Sequence, residues 1–205
     1  MNFVVLSSSH GTTFQAILDR IADGKLTARL LGLVSDREDR GCTEKARRAN
    51  VPVVVVEQKG EETGEQYDAR LDAAVRSLGG VDVIAAIGWM YILTPEFIRK
   101  WRGRILNVHP ALLPKYGGRG LFGMRVHEAV LNAGEKKSGM TIHLMDEDVD
   151  TGPILVQKTC SVFPRDTPEK LRARVQDLEK EWYPKVLEMI NRDELQLPFN
   201  VPHPL

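Results

Sequence analysis

At 205 residues the chain is long enough for one large α/β domain, or two small ones, with a sizeable buried core. Lys plus Arg and Asp plus Glu are each 28, which excludes a global positive field for nucleic acid and an acidic excess for a basic partner, and favours small-molecule ligands. Cys42 and Cys160 are far apart without Cys or His at ligand spacing, and no apolar run reaches membrane-spanning length; the expectation is a cytoplasmic protein with reduced thiols, no metal site and no membrane contact.

In chain order, MNFVVLSSS lacks the basic region and long apolar run of a signal peptide and instead supplies a first strand over 3–6. A polar turn over 7–12 follows, then the helical pattern FQAILDRIADG with its glycine stop. Strands are expected over 28–34 and 53–56, with helices over 43–49 and about 64–78. The run VDVIAAI over 81–87 suits a central parallel strand covered on both faces. In TPEFIRKW, Thr94 caps a helix and Pro95 takes its first position. A strand over 105–108 completes the alternation, which predicts one doubly wound, mostly parallel, Rossmann-like sheet with right-handed crossovers.

The last third changes character. MTIHLMDEDVD and PILVQKTCSVF alternate about a Gly-Pro turn, as expected of added antiparallel strands. A long helix closes the domain, capped at Thr167 and Pro168, with the stripe Leu171, Val175, Leu178, Trp182, Val186 and Ile190, and a kink expected at Pro184. The whole chain, 1–205, reads as one domain: 1–100 binds phosphate or nucleotide, 101–192 is the catalytic half, and 193–205 is an irregular tail, with the prolines of QLPFNVPHPL making a surface strap.

Ligands of open α/β sheets bind beyond the carboxyl ends of the strands. Three loops reach that edge. SSSHGTT contains Gly11, which allows close backbone approach, and the following helix start offers free N–H groups to a phosphate; the absence of GxGxxG counts against a dinucleotide. GWMYILTPEF holds Trp89, Met90, Tyr91, Ile92 and Leu93, a stretch that reads equally as core or as a grip on a flat heteroaromatic ring. NVHPALLPKYGGRG places Asn107 and His109 two residues apart at a strand end, so both face one side. An amide beside an imidazole can polarise a carbonyl and hold an oxyanion, and Asp150, before a Thr-Gly-Pro turn, can orient the imidazole. The other histidines, His10, His127, His143 and His203, read as structural or surface residues. Glu61, Glu62, Lys45, Arg47 and Arg48 read as solvated faces, and Trp101 and Trp182 as core.

Taken together, NVHPALLPKYGGRG, VHEAVLNAG and DVDTGPILVQ, in that order, resemble the glycinamide ribonucleotide formyltransferases of purine synthesis, a resemblance running from Met1 to about Ile190. It implies direct transfer of the formyl group of 10-formyltetrahydrofolate, a co-substrate rather than a tightly bound cofactor, to the ribonucleotide amine. It further implies 101–192 as the catalytic and folate-binding half, with Asn107, His109 and Asp150 as the catalytic set and His109 protonated. Met90, Tyr91, Ile92 and Leu93, with Asn107, would bind folate; Gly11, Thr12 and Thr13 would hold the substrate phosphate, and Gln176 and Glu179 its ribose and amine end. The sequence departs from the family pattern at Ser9, Thr12, Thr13, Gly64, Tyr91 and Ala111. The loop YGGRGLFGMRVHE reads as a flap over the cleft. A nucleotide-linked amino sugar is the alternative acceptor. Partners are expected to be small molecules, with the chain a monomer or homodimer.

Overall fold

The computed structural model describes residues 1–197, so the expected strap falls largely, and His203 wholly, outside the described residues. Seven strands form one sheet: β1 (Asn2–Ser7), β2 (Arg29–Ser35), β3 (Val53–Val55), β4 (Val83–Ala86), β5 (Ile105–His109), β6 (Lys137–Leu144) and β7 (Ile154–Ser161), in the order β3-β2-β1-β4-β5-β6-β7. The first five pair in parallel, and β6 and β7 are antiparallel additions beside β5. Among the described residues the helices are α1 (Thr12–Ala22), α2 (Gly41–Arg48), α3 (Gly64–Ser77), α4 (Pro95–Lys100), α5 (Met124–Asn132) and α6 (Pro168–Asn191).

The central strands β1 and β4 are apolar nearly throughout because helices cover both faces. Phe3 and Val5 of β1 join one core with Phe14 and Ile17 of α1 and with Leu171, Val175 and Tyr183 of α6. Val4 and Leu6 join the other, with Leu71 of α3, Phe97 of α4 and the fully enclosed Trp101. Period-two side-chain alternation thus divides one sheet between two cores. Trp182 is only partly buried, its ring covered by the ammonium groups of Lys158 and Lys185 at 3.5 and 4.7 Å.

Element boundaries follow local chemistry. Thr63 and Gln66 make a reciprocal capping box at α3, and Thr94 and Thr167 each accept a backbone N–H ahead of a proline in the first turn. Helix α6 continues through Pro184, where the neighbouring Tyr183 hydroxyl donates to the Leu106 carbonyl at 2.8 Å and anchors the segment to β5. The stretch YGGRGLFGMRVHE, expected as a flap, runs at its end into α5. This helix forms because Val126 and Val130, one turn apart, bury a short apolar stripe between Gly123 and Gly134.

Chain order reverses between β1 and β4, so the loops leaving these two strands diverge and open a crevice at their carboxyl ends. The end of β5 and the turn joining β6 to β7 border the same crevice.

Candidate active site

The crevice is a cleft of about 760 Å³, large enough for a sizeable ligand pair. All three loops singled out from the sequence line it, together with the α6 face carrying Gln176 and Glu179.

At the β1 end, Gly11 adopts φ 73, and a Cβ there would meet the Cys42 backbone at 2.9 Å, so only glycine fits. No side chain caps α1, and its first turn contains no acidic residue. Its leading N–H groups and positive dipole end are therefore available to an anion. The hydroxyl of Thr13, a buried residue, does not face an incoming anion directly but donates to Glu179 Oε2 at 3.2 Å. Burial pushes the Glu179 carboxyl up to about 7, against the opposing effects of the Thr13 hydrogen bond, Arg172 and Lys180.

At the β4 end, Met90 and Ile92 are exposed, 51% and 60%, while Leu93 turns into the core. Two large apolar side chains left open at a strand end are what a flat ring can cover. Tyr91 is held by aromatic neighbours, its ring 5.3 Å from Tyr67 and 5.6 Å from Trp89.

The end of β5 carries Asn107 and His109, with Asp150 arriving from the β6–β7 connection. His109 Nε2 donates to the Tyr116 carbonyl at 2.7 Å, while Nδ1 lies 3.4 Å from Asp150 Oδ2. The same Asp150 oxygen accepts the Gly118 N–H at 3.0 Å, tying the glycine-rich loop to the site. Asp150 itself sits at φ 61, a left-handed conformation that aspartate tolerates better than most residues. Burial pushes its carboxyl up, but the His143 and His109 rings and the Gly118 N–H outweigh this and hold it below the usual carboxylate range. For His109 the balance runs the other way: burial lowers the imidazole, and Asp150 and the Tyr116 carbonyl only partly restore it. The expected imidazolium is thus disfavoured before a ligand binds, because the ring lies in a desolvated corner.

The structure therefore brings Asn107, His109 and Asp150 to one cavity and adds His143, which the sequence reading set aside as structural. Asn107 pairs with His143 across β5 and β6. His143 Nδ1 donates to the Leu144 carbonyl at 2.9 Å, leaving Nε2 to receive the Asn107 amide at 3.1 Å. That bond aims the asparagine, and one amide hydrogen remains for a ligand. Single-sequence reasoning could not find His143, because its signal is the antiparallel register. His10 and His127 also line the cleft; His127 is buried with Nδ1 unpartnered, and burial, followed by Arg172 and His109, lowers its ring to about 4.

Among residues read as plain surface, Glu62 instead forms a paired contact with Arg70, Nη2 to Oε2 at 2.6 Å, and Lys45 binds the His10 carbonyl at 2.9 Å. No group of three or more His, Cys, Asp or Glu among the described residues could hold a metal ion, and no described helix is long and apolar enough to cross a membrane.

The formyl transferase family model matches residues 1–187. Phosphoribosylglycinamide formyltransferase of Haemophilus influenzae is 34% identical over 96% of this chain and 90% of its own length. The chloroplastic phosphoribosylglycinamide formyltransferase of Arabidopsis thaliana is 36% identical over 94% of this chain, which spans 66% of that longer protein. The solved phosphoribosylglycinamide formyltransferase of Coxiella burnetii superposes with a TM-score of 0.86 at 33% identity, covering 94% of this chain and 88% of that one. The chain belongs to the formyl transferase family, among its phosphoribosylglycinamide formyltransferases.

Proposed function

We propose that this protein transfers the formyl group of 10-formyltetrahydrofolate to the amine of glycinamide ribonucleotide, a step of purine synthesis. The observation that carries the reading is the convergence of Asn107, His109 and Asp150 at one edge of a cleft whose other walls are a helix N-terminus suited to phosphate and an exposed apolar shelf suited to a ring. The family match and the named relatives support the substrate pair.

In this reading the phosphate rests at Gly11, Thr12 and Thr13, while Gln176 and Glu179 contact the ribose side. Folate lies along Met90, Tyr91, Ile92 and Leu93. The substrate amine attacks the formyl carbon, a C–N bond forms, and the carbonyl electrons move onto oxygen. Asn107 donates its free amide hydrogen to that oxyanion, and His109 takes up the proton that the attacking amine surrenders, so the ring is charged while the oxyanion stands and then passes that proton to the leaving nitrogen. Asp150, ionised and in contact with the ring, stabilises the imidazolium. Collapse breaks the bond to the folate nitrogen, which leaves with the proton surrendered by the amine. The folate is consumed at each turnover as a co-substrate. Small molecules are thus the partners, and the free Cys42 and Cys160 suit a reducing, cytoplasmic setting for a monomer or homodimer.

The decisive experiment supplies formyl-folate with and without glycinamide ribonucleotide and follows both products. Formyl loss only when the amine is present, with one formylated ribonucleotide per folate released, is the expected result. Equal loss without the amine would mean hydrolysis, and no loss with it would mean another acceptor; either result overturns the reading.

A further inference from the structure

Among the described residues lining the cleft, the lysine and arginine side chains are Arg119, before α5, and Arg172, on α6. Five carboxylates share those walls: Asp146, Glu147, Asp148, Asp150 and Glu179. The loop Gly11–Thr13 brings no cationic side chain of its own, and Lys45, whose ammonium bonds the His10 carbonyl at 2.9 Å, is not among the residues lining the cleft. A phosphate monoester carries roughly −1.5 to −2 at neutral pH, whereas a helix N-terminus supplies only about +0.5. The walls lining the phosphate end therefore supply less positive charge than a phosphate monoester carries, and a guanidinium reaching in would complete it.

Arg172 is placed to do so. Arg172, Gln176 and Glu179 stand at i, i+4 and i+7, one face of α6, and all three line the cleft. The bond from Thr13 to Glu179 docks that face against the start of α1. Four residues of helix separate Arg172 from Gln176, a rise of about 6 Å, which is within the span of an arginine side chain. Its guanidinium is exposed and enters no ion pair among the described residues; Nη1 instead lies 3.7 Å from Met124 Sδ. A thioether is a weak acceptor, so this contact is readily exchanged for charge-assisted, two-pronged bonds to phosphate oxygens.

We propose that Arg172 is a further acceptor-binding residue, supplying the positive charge for the acceptor's phosphate from the side opposite the α1 N-terminus. The inference rests on the phosphorylated acceptor assigned above. It makes Arg172 a specificity residue, one that favours phosphorylated over unphosphorylated amines.

Calorimetric binding of ribose 5-phosphate tests this without any formyl transfer. Arg172→Ala should weaken binding roughly tenfold to a hundredfold, with Arg172→Lys retaining part of the affinity. In steady state the alanine variant should raise KM for glycinamide ribonucleotide by a similar factor, while kcat and KM for formyl-folate stay within about twofold. Unchanged affinity for ribose 5-phosphate in Arg172→Ala would overturn the proposal, as would an equal rise in both KM values, which would assign the side chain to holding Met124 and the cleft wall. An intact melting transition in both variants shows that folding is not the cause. Arg172-dependent binding of ribose 5-phosphate by a protein that formylates no glycinamide ribonucleotide would leave this inference standing and remove the functional reading instead.

Discussion

At the scale of single residues, the chemistry rests on polar groups held where water is scarce. His109 is 4% exposed and lies between a carbonyl and a carboxylate, so its proton affinity depends on what shares the cavity. His109→Ala should lower kcat by roughly a hundredfold or more at similar substrate affinity, measured by initial rates and by calorimetry; near-normal turnover would remove His109 from the mechanism. Asp150 permits a finer separation of charge from shape. Asparagine also accepts a left-handed backbone, so Asp150→Asn should fold normally while losing about a hundredfold in kcat, since the imidazolium loses its counter-charge. Asp150→Ala adds backbone strain and should lose about 1 kcal/mol more in urea unfolding. Equal stability of the two variants would show that φ 61 carries no cost there. At this scale the sequence disclosed residue types and close spacings, such as Asn107 and His109 on one side of β5. It did not disclose His143, whose role exists only through pairing with Asn107.

At the scale of elements, α6 does more than cover the sheet. Through Thr13 and Glu179 it is tied to the start of α1, and the carboxyl raised to about 7 makes that tie sensitive to pH. A carboxyl raised on folding binds more protons in the native state than in the unfolded one. Its contribution to stability is therefore fully present below about 4.5 and is lost as pH rises through about 7. Because Glu179 is partly open to the cleft, the loss should be about 1–2 kcal/mol. Glu179→Gln, which keeps an acceptor for Thr13 but cannot ionise, should gain that amount relative to the parent between pH 5 and pH 8. A difference in unfolding free energy that does not change with pH would refute the assignment. The β6–β7 hairpin makes a separate demand: a Cβ at Gly139 would lie 1.9 Å from the Lys158 carbonyl oxygen. Gly139→Ala should cost about 2–3 kcal/mol in denaturant unfolding, as overpacking against fixed backbone does; a neutral substitution would mean that β7 can move aside.

At the scale of the whole molecule, the site exists because the topology reverses between β1 and β4 and because β5 carries an antiparallel hairpin. Ligands that bridge these walls should stabilise the native state by mass action. Glycinamide ribonucleotide and a non-reactive folate analogue, each at about a hundred times its Kd, should each add about 2.7 kcal/mol, or roughly 5–10 °C in Tm for a chain of this size. No shift with either ligand would argue against the cleft as their binding site. The apolar runs of β1 and β4, the caps at Thr94 and Thr167, the prolines at helix starts and the stripe of α6 were all legible in the amino-acid order, because each expresses the conformational and hydration preferences of neighbouring residues. Gly11 was legible as a close approach, though not what approaches it, which is the Cys42 backbone. The short α5 escaped notice because its buried stripe is only a turn long and is flanked by glycines. Long-range pairing alone decided that Asn107 meets His143, that Thr13 serves Glu179, that burial opposes a charge on His109 and that Arg172 looks into the cleft. Those relations depend on which distant segments share a dielectric and a register, quantities that come into being only once the chain has closed upon itself.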